Sequence, residues 1–373
     1  MAVRKVAKPT RALQPGMKVN NPILDEAGQV LIEKGVFLDD FQIGRLLQRG
    51  IMRVYITEGE PDEYDNMYVP QFAKEQIEKN RKPDKKKVEL SQAVKERVGK
   101  GIEYLFTNTK DANLAESSNN VAGELVSTIL DSDAVAVDID MLKVSDEYTF
   151  KHSVDVAAMS LIIGKSMGLT KDEMKDLGMA GLLHDLGKSQ IPNEVLNKPG
   201  KLTDMEFALM KQHTLFGFKI LKERGGFKDN VMMGALQHHE KMNGRGYPQG
   251  FDSSRIHKFA RIIAVADVYD ALVTERPYKK GFSKSTAFEM LISMGDDLDV
   301  EVMTHFKKTL IIYPVDKVVV LSNGEPARVV KNNEGYPTRP VLVSLKTGEI
   351  FDLSNDVKYA SLMIPEADLE EAR

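Results

Sequence analysis

The chain has 373 residues and a formal net charge of −4, with 51 lysines and arginines against 55 aspartates and glutamates. This length predicts two or three domains, and the charge balance excludes a general basic surface, so we expect no DNA or RNA partner. The absence of cysteine excludes disulfides and thiolate metal ligands, which leaves His, Asp and Glu as candidate ligands.

The chain begins with MAVRKVAKPTRALQPGM, a segment without an apolar core of signal-peptide length. No later run reaches the roughly 18 apolar residues of a membrane-spanning helix. We therefore expect a cytoplasmic protein without membrane insertion.

Residues 1–60 predict a small α+β domain with a regulatory or docking role. Short strands are expected around Met17–Leu24 and Val30–Ile32, followed by a helix in DDFQIGRLLQRG and a strand in IMRVYI. Residues 61–97 contain the charged run EKNRKPDKKKVEL, which predicts a linker or an exposed helix.

Residues 98–310 predict a helical domain, because amphipathic stretches such as HSVDVAAMSLIIGKSMG and RIIAVADVYDALV recur between Gly, Pro, Asp and Asn. From residue 311 to 373 the pattern changes to the alternation of DKVVVLSNGEPARVVKNN and RPVLVSL, typical of a small antiparallel β domain. The predicted fold class is mainly α, with a small α+β unit before the helical domain and a β appendage after it.

Histidine is unevenly distributed: the chain has 7, and five of them lie between positions 152 and 239. Two aspartates at helix-like positions complete a candidate ligand set, which consists of His152, His184, Asp185, His213, His238, His239 and Asp267. Neutral imidazole is a common ligand of transition metals, and a carboxylate can bridge two of them. Because facing helices can hold such ligands in a domain core, the pattern predicts a metal centre. His257 and His305 are expected to be ordinary structural residues.

Three further polar residues accompany this set. Lys188 follows His184 by four residues and Asp185 by three, on the same helix face, and a cation beside a metal indicates a bound anion. Asp270 is expected to form a salt bridge on a helix face, and Glu240 to orient a histidine as an acceptor.

Several motifs occur in order: YTFKHSVDVA, GLLHDLGK, MKQHTLFG, LQHHEKMNGRGYP and ARIIAVADVYDALVTERPYKK. On these motifs the segment from 152 to 278 resembles the HD-GYP family, the cyclic di-GMP phosphodiesterase branch of the HD metallohydrolase superfamily. The leading TRALQPGMKVNNPILDEAGQVLIEKGVFL looks, more loosely, like a domain often found ahead of such modules. The resemblance implies a helical HD-GYP catalytic domain with cyclic di-GMP as substrate, and a bacterial signalling role in which its hydrolysis favours motility over biofilm.

The resemblance also implies roles for particular residues. One metal is assigned to His152, His184, Asp185 and Asp267, and the other to His213, His238 and His239, with Asp185 bridging. The implied substrate contacts are Lys188 at the scissile phosphate, the loop Gly246, Tyr247 and Pro248 at the guanine pocket, and Arg276 and Lys279 at phosphate or guanine edges. Asp185 and Lys188 are the implied catalytic residues.

The implied reaction is in-line attack by a hydroxide that two metals activate, giving pGpG and then GMP. Ligation by imidazole and carboxylate favours two divalent iron or manganese ions, ahead of zinc, nickel or cobalt. Some members hold a third metal through a glutamate where this chain has Tyr148, and Glu147 is one residue away, so we expect two metals. Asn243 replaces a usual Asp and supports a turn equally well.

Two alternatives stay open. The same metals would serve a hydrolase of another cyclic dinucleotide such as cyclic GMP-AMP, since only base contacts around Tyr247 and Arg276 would differ. A catalytically weak nucleotide-sensing module ranks last, because no ligand position is degenerate. Beyond the nucleotide, the candidate partners are a second copy of the chain, as a homodimer, and a signalling protein.

Overall fold

The computed structural model describes residues 4–15, 17–24, 30–33, 36, 38–58, 68–88, 90, 92–132, 134–136, 148–275, 281–355 and 357–365. They form two compact units. The first contains the described residues within 1–83, 313–332 and 339–365, and the second those within 84–312 and 333–338. Among the described residues, no helix combines the length and the apolar character needed to cross a membrane.

The N-terminal part of the first unit is the small α+β structure that the sequence predicted. Its elements are β1 (Arg4–Pro9), β2 (Lys18–Val19), β3 (Ile23–Leu24), β4 (Val30–Ile32), α1 (Asp40–Gln48) and β5 (Arg53–Glu58). The antiparallel sheet has the order β1-β5-β2, and β3 pairs with β4. Asp39 begins α1 with a capping box that includes Gln42. Apolar side chains from the sheet and from α1, among them Val19, Leu46 and Ile56, form the core of this structure.

The C-terminal part of the first unit is an antiparallel sheet of the order β6-β7-β8-β9. Its strands are β6 (Val318–Val320), β7 (Pro326–Lys331), β8 (Val341–Ser344) and β9 (Ile350–Asp352). Helix α2 (Gln71–Asn80), within the segment for which we expected a linker or an exposed helix, buries one face: Ile77 joins the apolar cluster of Val318 and Val330. Arg81 also pairs with Asp316 at 2.6 Å. This helix is therefore part of the packed unit.

The second unit is helical, as the sequence predicted. Its helices are α3 (Gln92–Thr107), α4 (Leu114–Asp131), α5 (Tyr148–Ser166), α6 (Lys171–Leu183), α7 (Asn193–Leu196), α8 (Asp204–Lys211), α9 (His213–Arg224), α10 (Asp229–Gln237), α11 (Lys258–Val273), α12 (Lys284–Ser293) and α13 (Val300–Thr309). Helix α5 packs against α6 and α11. Because α5 and α11 bury residues on nearly all sides, these two helices form the centre of the unit.

Gly187 sets how closely the 3-10 helix Leu186–Gln190 approaches α9. A Cβ atom at this position would lie 1.9 Å from the carbonyl oxygen of His213 and 2.4 Å from the amide nitrogen of Gly217. Only glycine fits such a backbone contact. The contact holds the residues that immediately precede Gly187 in the chain next to the first turn of α9.

We expect Gly187→Ala to lower the melting temperature, because the added methyl group must push the 3-10 helix away from α9 at a cost of about 1–3 kcal/mol. Gly123→Ala in α4 is the matched control, since, apart from its own helix backbone and chain neighbours, no atom of the described residues lies within 4 Å of its added Cβ. Thermal unfolding followed by circular dichroism measures both variants. Equal melting temperatures for Gly187→Ala and the wild type would contradict this account of the contact.

Candidate metal centre

The structure brings all seven predicted ligand residues together inside the helical unit. They come from five places in the fold: His152 lies in α5, His184 and Asp185 follow α6, His213 begins α9, His238 and His239 follow α10, and Asp267 lies in α11. All are buried except His239, whose side chain is 26% exposed. Five of these seven residues lie at or directly after a helix end. A helix terminus can direct a polar side chain into a core that is otherwise apolar.

The ligand atoms form overlapping groups. Among the described residues, three sets have potential ligand atoms within 4.8 Å of one another: His213 with His238 and His239, His152 with His184 and Asp185, and His184 with His238 and Asp267. These sets share members, so the side chains line one continuous polar centre.

Asp185 lies in the middle of this centre, and its two oxygens face different histidines. Its Oδ2 is 3.3 Å from Nε2 of His184 and 3.6 Å from Nε2 of His152. Its Oδ1 is 3.4 Å from Nε2 of His213 and 3.8 Å from Nε2 of His238. A carboxylate placed in this way has the arrangement required to bridge two cations.

The histidines are oriented through the ring nitrogen that points away from the centre. Three of them donate this Nδ1–H to the backbone carbonyl three residues earlier, at 2.6–3.0 Å: His184 to Gly181, His213 to Met210 and His238 to Ala235. With the proton held on Nδ1, the Nε2 lone pair faces the other ligands. Metal-binding histidines are commonly fixed by this kind of hydrogen bond.

Electrostatics keeps most of the ligands in the form that binds metals. Burial lowers the pKa of His213 and His238, and it lowers the pKa of His239 to about 3, so these rings are neutral. Burial raises the pKa of the Asp185 carboxyl, but the Lys188 ammonium and nearby histidines outweigh it and hold the pKa well below its usual range. Neutral imidazoles around an ionised carboxylate are a donor set suited to a divalent cation.

His152 is surrounded by carboxylates. Its Nε2 lies 3.1 Å from Oδ1 of Asp267, and its Nδ1 donates to Oδ2 of Asp270 at 2.7 Å. Burial opposes a charge on this ring, but the hydrogen bonds to both aspartates outweigh it and raise the pKa of His152 to about 10. The position therefore favours a cation, either a proton or a metal ion, between His152 and the acidic groups.

Two buried polar atoms of the centre lack a hydrogen bond. Within the described part of the chain, Nε2 of His184 and Oδ1 of Asp185 have no hydrogen-bond partner. Leaving such groups unpaired in a core costs free energy, whereas a metal ion would satisfy both. The residues present therefore fit a divalent metal site.

Asp270 forms the expected ion pair, but in the core of the helical unit rather than on an exposed helix face. We predicted a salt bridge on a helix face, and Asp270 does pair with His152 at 2.7 Å, but it is fully buried; it also accepts a hydrogen bond from Oγ1 of Thr274 at 3.1 Å. Its position one helical turn after Asp267 was the signal in the sequence. Asp270 therefore orients a candidate metal ligand.

The residues implied for substrate binding are partly described. Lys188 donates to Oδ2 of Asp185, and its side chain is 26% exposed. The ring of Tyr247 lies 4.7 Å from that of His239. Burial, together with the charges of Asp267 and Asp185, raises the pKa of the Tyr247 phenol, which stays neutral. Both residues therefore border the metal centre.

The family resemblance also concerns two predicted substrate contacts and the position of a third metal ligand found in some members. Arg276 and Lys279 lie outside the described residues, as does Glu147, and Tyr148 is the first residue of α5.

Hydrogen bonds to Glu240 and His239 hold the loop that carries Gly246, Tyr247 and Pro248. Glu240, which we expected to orient a histidine, instead accepts the backbone N–H groups of Gln249 at 2.7 Å and Phe251 at 3.1 Å. The amide of Tyr247 donates to the carbonyl oxygen of His239 at 3.1 Å.

The turn before this loop has its own support. Oδ1 of Asn243 accepts the backbone N–H of Arg245 at 3.1 Å, as expected for a turn residue. Its Nδ2 donates to Oδ1 of Asp297 at 2.7 Å. Together with Glu240, these contacts fix the Tyr247 ring beside the metal centre.

Comparison with known proteins identifies similar sequences. Residues 136–302 match the family model of the HD domain. A cyclic di-GMP phosphodiesterase of Pseudomonas aeruginosa is 35% identical over 229 residues, which cover 60% of this chain and 55% of the relative. A cyclic di-GMP phosphodiesterase of Thermotoga maritima is 38% identical over 178 residues, 46% of this chain and 48% of the relative.

A relative named for a different substrate is also similar. A 3′3′-cGAMP-specific phosphodiesterase of Vibrio cholerae is 35% identical over 152 residues, 41% of this chain and 35% of the relative. The chain thus spans about half the length of the Pseudomonas and Thermotoga relatives, and less of the Vibrio protein.

We expect Asp270→Ala to weaken metal binding by roughly 10- to 100-fold, because His152 loses the carboxylate that orients its ring. Asp270→Asn keeps an acceptor oxygen in place, so its effect is expected to be smaller. Titration of metal-free protein with Mn²⁺, followed by calorimetry, measures both affinities, and circular dichroism checks the fold. Wild-type affinity in Asp270→Ala would show that Asp270 has no orienting role.

Proposed function

From its membership of the HD-GYP family of HD-domain proteins, we propose that this chain is a metal-dependent phosphodiesterase that hydrolyses cyclic di-GMP to pGpG and then to GMP. The observation that carries the proposal is the placement of Asp185, whose two oxygens face different groups of histidines. The named activities of the relatives support the same reaction class.

The proposed centre holds two divalent cations, iron or manganese. Its first ligand set is His152, His184, Asp185 and Asp267, and its second is Asp185, His213, His238 and His239. Such cations supply a hydroxide nucleophile near neutral pH and neutralise charge on the phosphoryl oxygens. The Nδ1–H bonds to backbone carbonyls keep the imidazoles in place, so little reorganisation is needed during the reaction.

Lys188 is the proposed phosphate-binding residue. Its ammonium group lies at Asp185 and remains partly exposed, so it can hold an oxygen of the scissile phosphate and offset the negative charge that develops there. Tyr247 lies beside His239, where its neutral phenol and ring can contact the nucleotide. These two side chains would position the phosphodiester for in-line attack.

Cyclic GMP-AMP is the second candidate substrate, because the Vibrio relative named for that nucleotide is 35% identical over 152 residues, the same percentage that the Pseudomonas relative shows over 229 residues. The metal ligands would serve both substrates, so only contacts to the bases can decide between them. Parallel assays with the two nucleotides distinguish these candidates directly.

The test of the proposal incubates purified, metal-analysed protein with cyclic di-GMP and Mn²⁺ or Fe²⁺ under reducing conditions, and resolves pGpG and GMP by chromatography. We expect turnover by the wild type and none by Asp185→Ala, which lacks the shared ligand. Lys188→Met is expected to retain bound metal and to lose roughly 100-fold in kcat, because one stabilising donor is removed.

Lys219→Met is the matched control, since Lys219 lies on α9 with a side chain that is 72% exposed and pairs only with Glu223 among the described residues. It should keep wild-type turnover. No turnover by metal-loaded wild type would contradict a cyclic di-GMP hydrolase, and hydrolysis of cyclic GMP-AMP alone would establish the second candidate. Nucleotide binding without hydrolysis of either would favour the sensing module.

A further inference from the structure

An aromatic surface extends from the metal centre along helix α8. The ring of Tyr247, which contacts His239, is 6.5 Å from the ring of Phe207 in an edge-to-face arrangement. Phe207 lies in α8 and is 48% exposed, although it adjoins a buried site. Lys211 ends the same helix, two residues before His213 in the sequence.

The ammonium group of Lys211 lies over both rings. It is 5.2 Å from the centroid of Phe207 and 5.9 Å from that of Tyr247. Within the described part of the chain, no carboxylate pairs with Lys211, whereas nearby Lys198 is neutralised by Glu206 at 2.5 Å. The surface thus combines an exposed aromatic face with an uncompensated positive charge.

An ordinary helix pair does not account for this arrangement. Phe and Lys four residues apart often contact each other on a helix surface, as Phe218 and Lys222 do in α9 at 5.8 Å. Lys211, in contrast, also lies over a ring from a separate loop that borders the metal centre. The cluster therefore joins α8 to the loop that borders the metal centre.

We propose that Phe207 and Lys211 form a subsite for the part of the cyclic dinucleotide that is not cleaved. A purine base stacks on the exposed ring of Phe207, and Lys211 meets the second phosphate as a point charge. This inference rests on the proposed function, because a substrate with two bases and two phosphates must extend beyond the metal centre. Phe207 and Lys211 are then determinants of substrate affinity.

The experiment compares two substrates in Phe207→Leu and Lys211→Met. Cyclic di-GMP offers two bases and two phosphates, whereas bis(p-nitrophenyl) phosphate has one phosphate and no purine. We expect KM for cyclic di-GMP to rise about tenfold in each variant with little change in kcat. The ratio of kcat/KM between cyclic di-GMP and bis(p-nitrophenyl) phosphate should fall by a similar factor. Lys222→Met, in the equivalent pair of α9, is the matched control and should keep the wild-type ratio.

Equilibrium binding separates this inference from the proposed function. Calorimetry measures the Kd for cyclic di-GMP in the Asp185→Ala background, with and without Phe207→Leu, and the added substitution should weaken binding about tenfold. If the wild type hydrolyses no cyclic di-GMP, the proposed function fails, and the same weakening would still support the subsite. Unchanged KM and Kd, no detectable binding, or an equal loss of activity on both substrates would overturn it.

Discussion

The structure depends on one buried carboxylate, that of Asp185, whose oxygens face the neighbouring imidazole of His184 and imidazoles from three other helices, α5, α9 and α10. An ionised carboxylate in a core is costly unless it is paired. Here Lys188 and the surrounding histidines offset the burial, and bound cations would do so more completely. Because metal ions bind the folded centre, their binding should stabilise the helical unit as a whole.

Several contacts of the helical unit hold the groups around Asp185 in position. Gly187 allows the 3-10 helix after Asp185 to pack on α9, where His213 begins. Asp270 orients His152, and Glu240 holds the loop that places Tyr247 beside His239. The candidate metal centre is thus assembled from helix ends and from two residues within helices, while Phe207 and Lys211 extend the same surface towards solvent.

The sequence predicted the helical unit and both small β structures, because apolar periodicity carries those signals. The clustering of histidines indicated a metal centre, but the convergence of all seven ligand residues was implied only by the resemblance of the motifs to the HD-GYP family. The sequence did not predict the partners of Asp270 and Glu240, since periodicity indicates which face is buried but not what it contacts. The sequence also did not predict the packing of α2 on the C-terminal sheet. Most residues of this helix are charged or polar, so its two buried residues, Ala73 and Ile77, gave only a weak apolar pattern. Nothing in the sequence singled out Phe207, because its exposed ring stands out only once the structure places it next to Tyr247.

Anomalous diffraction from crystals of the manganese- or iron-loaded protein tests the central claim most directly. Data collected at the absorption edge of the metal locate each ion independently of activity. The account predicts two peaks, one at each oxygen of Asp185, with His152 and His184 beside one and His213 and His238 beside the other. A single peak, or peaks that do not contact Asp185, would contradict it.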